Sequence, residues 1–113
     1  SRVALLSIDT EGHDALVMRG AARALESKRV DVVEFEYTRL WKRVMGDERA
    51  LQTTLAWLDG LGYTCFWQGN RGQLAQAGGA CWLEAFHERI SHRWSNLVCS
   101  HRADVVAAWR QLT

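Results

Sequence analysis

The chain opens on a nearly unbroken apolar run, Arg2 to Ile8 (RVALLSI), that ends at Asp9. Short runs without alternation suit a strand buried on both faces, the environment of a parallel sheet with helices on each side. Thr10, Glu11 and Gly12 break the run. A helical period follows from His13 to about Ser27 and places Val17, Gly20, Ala21, Ala24 and Leu25 on one face. Asp14 in its first turn and Lys28 and Arg29 just past its end suit the helix dipole. Val30 to Tyr37 (VDVVEFEY), rich in β-branched and aromatic residues, predicts a second strand. A strand, a helix and a strand in this order form a βαβ unit, whose right-handed crossover makes the two strands parallel neighbours.

Thr38 to Gly46 reads as a connecting segment that holds Trp41 and two basic residues. The spacing of Leu51, Leu55 and Leu58 predicts a second helix from Asp47, an N-cap residue, to Leu61, with Gly62 stopping it at C′. Tyr63 to Gln68 (YTCFWQ) is a third strand, and the glycine-rich stretch Gly69 to Gly79 a loop or hairpin connection. Ala80 to Arg93 has no clear period. Trp94 to Ser100 (WSNLVCS) returns as a strand, and Ala103 to Leu112 closes the chain as a short helix carrying Val106 and Trp109.

One feature of this order is incomplete. A first strand buried on both faces belongs in the middle of a sheet, yet one sequence-neighbour strand is available to it. Its other edge would be a bare row of donors and acceptors, which folded proteins avoid. No G-x-G-x-x-G turn occurs among the nine glycines, and Gly69-Asn70-Arg71-Gly72 lacks both that spacing and its strand-to-helix setting. The expectation is therefore residues 1–113 as the C-terminal part of a single α/β domain, with any cofactor-binding half upstream of Ser1.

Composition narrows the partners. The 113 residues are 48% hydrophobic and 24% charged, with 14 basic and 13 acidic side chains. That balance gives no electrostatic footprint for nucleic acid or an anionic membrane. No apolar run approaches the ~20 residues of a membrane span. Cys65, Cys81 and Cys99 are odd in number and form no C-x-x-C pair, so neither a zinc ribbon nor a redox dithiol is indicated, and a reducing, cytoplasmic setting is expected.

The residues Ser7-Ile8-Asp9-Thr10-Glu11-Gly12-His13-Asp14, then Val17 through Gly20-Ala21, then Val32-Val33-Glu34-Phe35-Glu36, resemble the FkbM-type methyltransferases. In that family a strand ending in K-I-D-V-E-G-H-E leads to a helix with a V-L-K-G-A turn, and the next strand closes on F-E. Leu61-Gly62-Tyr63 is similar to the family's L-G-Y step. The resemblance covers about residues 3 to 68. Ser7 stands where lysine is usual, Asp14 where glutamate is usual, and Glu34 where an apolar residue is expected.

The resemblance implies a Rossmann-like fold of which this chain supplies the fourth to seventh strands, the seventh (Trp94 to Ser100) antiparallel between the fifth and sixth. It implies S-adenosylmethionine as cofactor and O-methyl transfer to a hydroxyl of a small molecule or glycan, with this portion inactive alone. Ligands of open α/β sheets bind beyond the carboxyl ends of the strands. Asp9, Glu11 and His13 gather at such an end and are the candidate catalytic residues: His13 as base by its near-neutral pKa, Asp9 as the group positioning acceptor or cofactor. The bland alternative makes Glu11 a helix cap, Gly12 a turn and His13 a solvated first-turn residue. D-x-E-x-H also offers metal ligands, but the cap reading outweighs it, so no metal is expected. Glu36, near its strand's end, and Trp41, in the following loop, are candidate substrate-binding residues. Glu34 lies deeper on the same strand face and needs a partner if buried. His87, His92 and His101 are too scattered to form a site, and the other tryptophans suit packing. A second function class remains: a non-catalytic methyltransferase-like module for protein association.

Overall fold

The computed structural model describes residues 2–69, 71–81 and 95–113. Five strands form one mixed sheet: β1 (Val3–Ser7), β2 (Val30–Tyr37), β3 (Thr64–Gln68), β4 (Leu74–Gln76) and β5 (Ser95–Ser100), in the spatial order β1-β2-β5-β3-β4. β1 pairs parallel with β2, as the βαβ reading requires. β5 runs antiparallel between β2 and β3, the place expected for the Trp94–Ser100 strand. The Gly69–Gly79 stretch is a hairpin connection, with β4 antiparallel to β3. Residues 82–94 lie outside the described residues; they hold most of the unassigned stretch Ala80–Arg93, with Trp82, His87 and His92, and the first residue of the expected last strand, Trp94.

Strand alternation divides the sheet into two faces. Val33, Phe35, Tyr37, Cys65, Trp67, Leu97 and Cys99 belong to the larger core. Over it lie α1 (Asp14–Gly20), α2 (Ala22–Glu26), α3 (Leu40–Met45) and α4 (Ala50–Gly60), through Met18, Leu25, Trp41, Leu51, Leu55 and Leu58. The opposite parity carries Phe66, which meets Trp109 of α5 (Ala103–Arg110) edge to face at 5.8 Å. Among the described residues α5 is the sole helix on that second face, so the β1–β2 end of it is open.

That asymmetry overturns one expectation. β1 is an edge strand, with Val3 42% and Leu5 55% exposed, rather than a strand buried on both faces. Among the described residues only β2 neighbours it, and none of them covers its second face. No described strand pairs with its other side, so the bare edge expected there is found among the described residues. The predicted helix from His13 to Ser27 is interrupted at Ala21 into α1 and α2; Ala21, Ala24 and Leu25 of its expected inward face pack on the core, but within α1 the inward face is rotated. Asp14, Ala15 and Met18 are buried, whereas Val17, about 100° round the helix from Met18, is exposed. Thr38–Gly46 is not merely a connection, since it contains α3. Asp47 lies ahead of the assigned start of α4, where its carboxylate accepts the Arg49 N–H at 2.9 Å.

The end of α4 follows the sequence reading closely. Gly62, at φ 94°, is the C′ residue. Its N–H reaches the Asp59 carbonyl (2.9 Å) and the Tyr63 N–H reaches Leu58 (2.9 Å), the paired bonds of a Schellman stop. Leu58 and Tyr63, the positions of the usual apolar contact, are both buried.

Cys65 and Cys99 face each other in the β3–β5 register and form a disulfide, with Cα atoms 4.1 Å apart. The bridge was not legible in the cysteine spacing, and it removes the ground for expecting a reducing setting. Cys81 is free and exposed. No helix among the described residues is long and apolar enough to cross a membrane.

Candidate functional site

The carboxyl ends of the two parallel strands β1 and β2 lie side by side, because Ser7 pairs with Glu34 and the Ile8 N–H donates to the Glu34 carbonyl at 2.8 Å. Beyond Ile8 the chain must turn sharply into α1. Glu11 and Gly12 both take positive φ, 53° and 105°. At Gly12 a Cβ would lie 2.7 Å from the Cβ of Leu40, so the turn packs directly on α3 and admits no side chain there.

Asp14 fixes this turn. Its side chain is fully buried. One carboxylate oxygen accepts the Thr10 N–H (3.1 Å) and the Thr10 hydroxyl, and the other accepts the Glu36 N–H at 2.9 Å. A single acid thus ties the end of β1, the first turn of α1 and the end of β2 together. Sequence reasoning gave Asp14 to the helix dipole and missed this role, although an acid four residues after Thr10, on a helix facing a strand end, was the available signal.

Between the strand ends is a crevice of about 140 Å³ lined by Ser7, Ile8, Asp9, Glu34, Phe35, Glu36 and Asn96. Asn96 comes from β5, directly opposite Glu36 in the register. Two of the predicted residues, Asp9 and Glu36, therefore meet in one cavity. Glu11 is near enough to act electrostatically on Glu36, and His13 sits exposed at the N-cap of α1 without a side-chain capping bond. The helix-cap role weighed for Glu11 is not found, since Glu11 belongs to the positive-φ turn. Among the described residues no group of three His, Cys, Asp or Glu side chains is placed to hold a metal.

Glu36 is held at both of its backbone groups. Its N–H is taken by Asp14, and its carbonyl accepts the indole N–H of Trp41 at 2.8 Å. Oε1 of Glu36 is buried and has no hydrogen-bond partner among the described residues. Burial, followed by the negative charges of Asp9, Asp14 and Glu11, raises the Glu36 pKa above its ordinary value. Glu34 differs: one oxygen accepts the Ser7 hydroxyl at 3.2 Å and the other the Gln68 amide at 2.8 Å. The partner that Glu34 needs is supplied by β1 and β3, so this acid is a cross-strand tie.

Trp41 corrects a second expectation. Its ring is fully buried, packed edge to face on Tyr37 (5.2 Å) and tilted on Phe35 (5.8 Å). With no exposed surface it cannot cover a substrate here, and its contribution to the site is the hydrogen bond to the Glu36 carbonyl. α3 explains the difference, because it turns the expected loop inward.

At the other end of the sheet Asp31 joins Arg2 (2.7 Å) and Arg102 (3.4 Å), and its carboxylate pKa is lowered chiefly by the hydrogen bond from Arg2. A second depression, about 160 Å³, lies between α4 and Gly78–Gly79 with Asp59 as its one ionisable residue.

The acidic crevice sits beyond the carboxyl ends of the parallel strands, the edge at which open α/β sheets generally bind ligands. Residues 1–65 match the Methyltransferase FkbM domain, and the chain belongs to that family. The match contains β1, the Asp9–Asp14 turn and β2, and so the whole β1–β2 side of the crevice. No curated protein and no solved structure matches the chain.

Proposed function

We infer that this chain is the substrate-facing part of an S-adenosylmethionine-dependent O-methyltransferase, acting on a hydroxyl of a small molecule or glycan. The observation carrying this reading is the acidic crevice at the β1 and β2 ends, whose lining apart from Asn96 falls inside the segment that matches the family. Asp9 and Glu36 place carboxylates where a ligand would enter, and Asn96 adds an amide that can donate or accept.

The residues present fit one end of the methyl donor. Its sulfonium and ammonium groups are cationic, and the Asp9 carboxylate would hold such groups. The crevice is too small for a nucleoside as well, so that part of the donor calls for further chain. The donor, when bound, supplies an electrophilic methyl group. The side chains described here orient the acceptor, exclude water and take up a proton.

The bare edge of β1 supports completion by further strands. Val3 and Leu5 on β1 and Leu16 and Val17 on α1 leave apolar surface in both layers of the structure next to that edge. The same surface favours the second reading, a non-catalytic module that associates through β1. Titration calorimetry of the full-length protein with S-adenosylmethionine separates the two. Binding heat with one site per chain is expected of the methyltransferase, and its absence would leave the association module.

A further inference from the structure

We propose that Glu36 is the proton acceptor for the hydroxyl that is methylated, an assignment that rests on the methyltransferase reading above. Three acids with little exposure meet at this end of the sheet: Asp14, Glu34 and Glu36. Both oxygens of Asp14 are occupied, by Thr10 and by the Glu36 N–H. Both oxygens of Glu34 are occupied, by Ser7 and Gln68. Only Glu36 keeps a buried oxygen without a partner, and it lines the crevice. An acceptor in that state lacks the solvation it had in the unfolded chain, and a hydroxyl donated by a ligand would restore it.

Its backbone is clamped on both sides by Asp14 and Trp41, which limits how far the carboxylate can move from the crevice. Asn96, opposite in register, is placed to receive the same ligand. Burial, followed by the charges of Asp9, Asp14 and Glu11, raises its proton affinity. In the transfer the acceptor oxygen gains the methyl carbon and gives its proton to Glu36. The pair of the broken carbon–sulfur bond stays on sulfur as a neutral thioether, and Glu36 then returns the proton to water.

The sulfonium charge provides a test that needs no known acceptor. In the full-length protein the ¹³C resonance of the Glu36 carboxyl, assigned by its loss in Glu36→Gln, is followed against pH. Without ligand its midpoint should lie above the ordinary 4.5. S-adenosylmethionine should lower that midpoint by about one pH unit or more, because a positive charge a few ångströms away favours the carboxylate. S-adenosylhomocysteine, a neutral thioether at the reacting atom, should not do so. Equal midpoints with both bound ligands would overturn the assignment of Glu36 while leaving the methyltransferase reading standing. Absence of binding heat for either ligand would remove that reading and the assignment with it.

Discussion

Replacing Asp14 by asparagine tests whether the site is built around one buried acid. The substitution keeps the shape of the side chain and removes its charge and one of its two acceptor oxygens. In the native protein both oxygens are used, by Thr10 on one side and the Glu36 N–H at 2.9 Å on the other. Whichever way the new amide turns, its NH₂ faces a backbone N–H donor, and at least one charge-assisted hydrogen bond is lost. Such a bond contributes about 1.5–3 kcal/mol, and a buried donor left unsatisfied costs about 1–3 kcal/mol. Relief from burying a carboxylate offsets part of this. The net expectation is a loss of about 2–4 kcal/mol. Urea unfolding followed by tryptophan fluorescence reads it, since Trp41 and Trp67 are buried and become solvated on unfolding. A midpoint within about 0.5 kcal/mol of wild type at unchanged m would refute the reasoning. It would mean that Asp14 is not the tie between the turn and β2.

Other consequences are accessible to the same methods. The Cys65–Cys99 bridge closes a loop with a sequence separation of 34, for which the chain-entropy relation gives about 4 kcal/mol; the Cys65→Ala/Cys99→Ala chain should lose most of this, and equal denaturation midpoints with and without the bridge would contradict it. Gly12→Ala should destabilise by more than about 2 kcal/mol, because the residue is at φ 105° and its Cβ would strike Leu40; a change near zero in thermal unfolding would show that the turn can move. The Tyr63 phenol, whose hydroxyl donates to the Val30 carbonyl, has its pKa pushed up to about 12 by burial and then by the Asp31 charge. The neutral phenol is therefore the form the fold favours, and the stability it contributes is present below the ordinary value of 10.0 and lost as pH rises through about 12. Ultraviolet titration should show late tyrosine ionisation, and Tyr63→Phe should reduce its amplitude by one phenol.

The strands were legible because their signal is local. VDVVEFEY carries β-branched and aromatic residues in one run, SNLVCS holds the apolar stretch Leu97-Val98-Cys99, and both form strands. The Gly62 stop was equally readable, since one residue carries the positive φ that closes the helix. What the sequence hid depends on residues distant in the chain. Cys65 and Cys99 meet only because β5 inserts between β2 and β3 in one register. The exposure of Val3 and Leu5 follows from where α5 packs, which no run in the first strand records. Trp41 looked available for a ligand until α3 folded it onto Tyr37 and Phe35. At the site, Asp9 and Glu36 were found because they end strands that point to one edge. Asn96 was missed because its strand enters from the opposite direction, and Asp14 because its partner, the Glu36 N–H, is 22 residues away.

Calorimetric titration of the full-length protein with S-adenosylmethionine, repeated with Asp9→Asn, tests the central reading most directly. A family member using this crevice should bind one donor per chain, and loss of the Asp9 charge beside the cationic end should weaken binding severalfold. No binding heat, or equal affinity in the two proteins, would contradict the placement of the donor at the ends of β1 and β2.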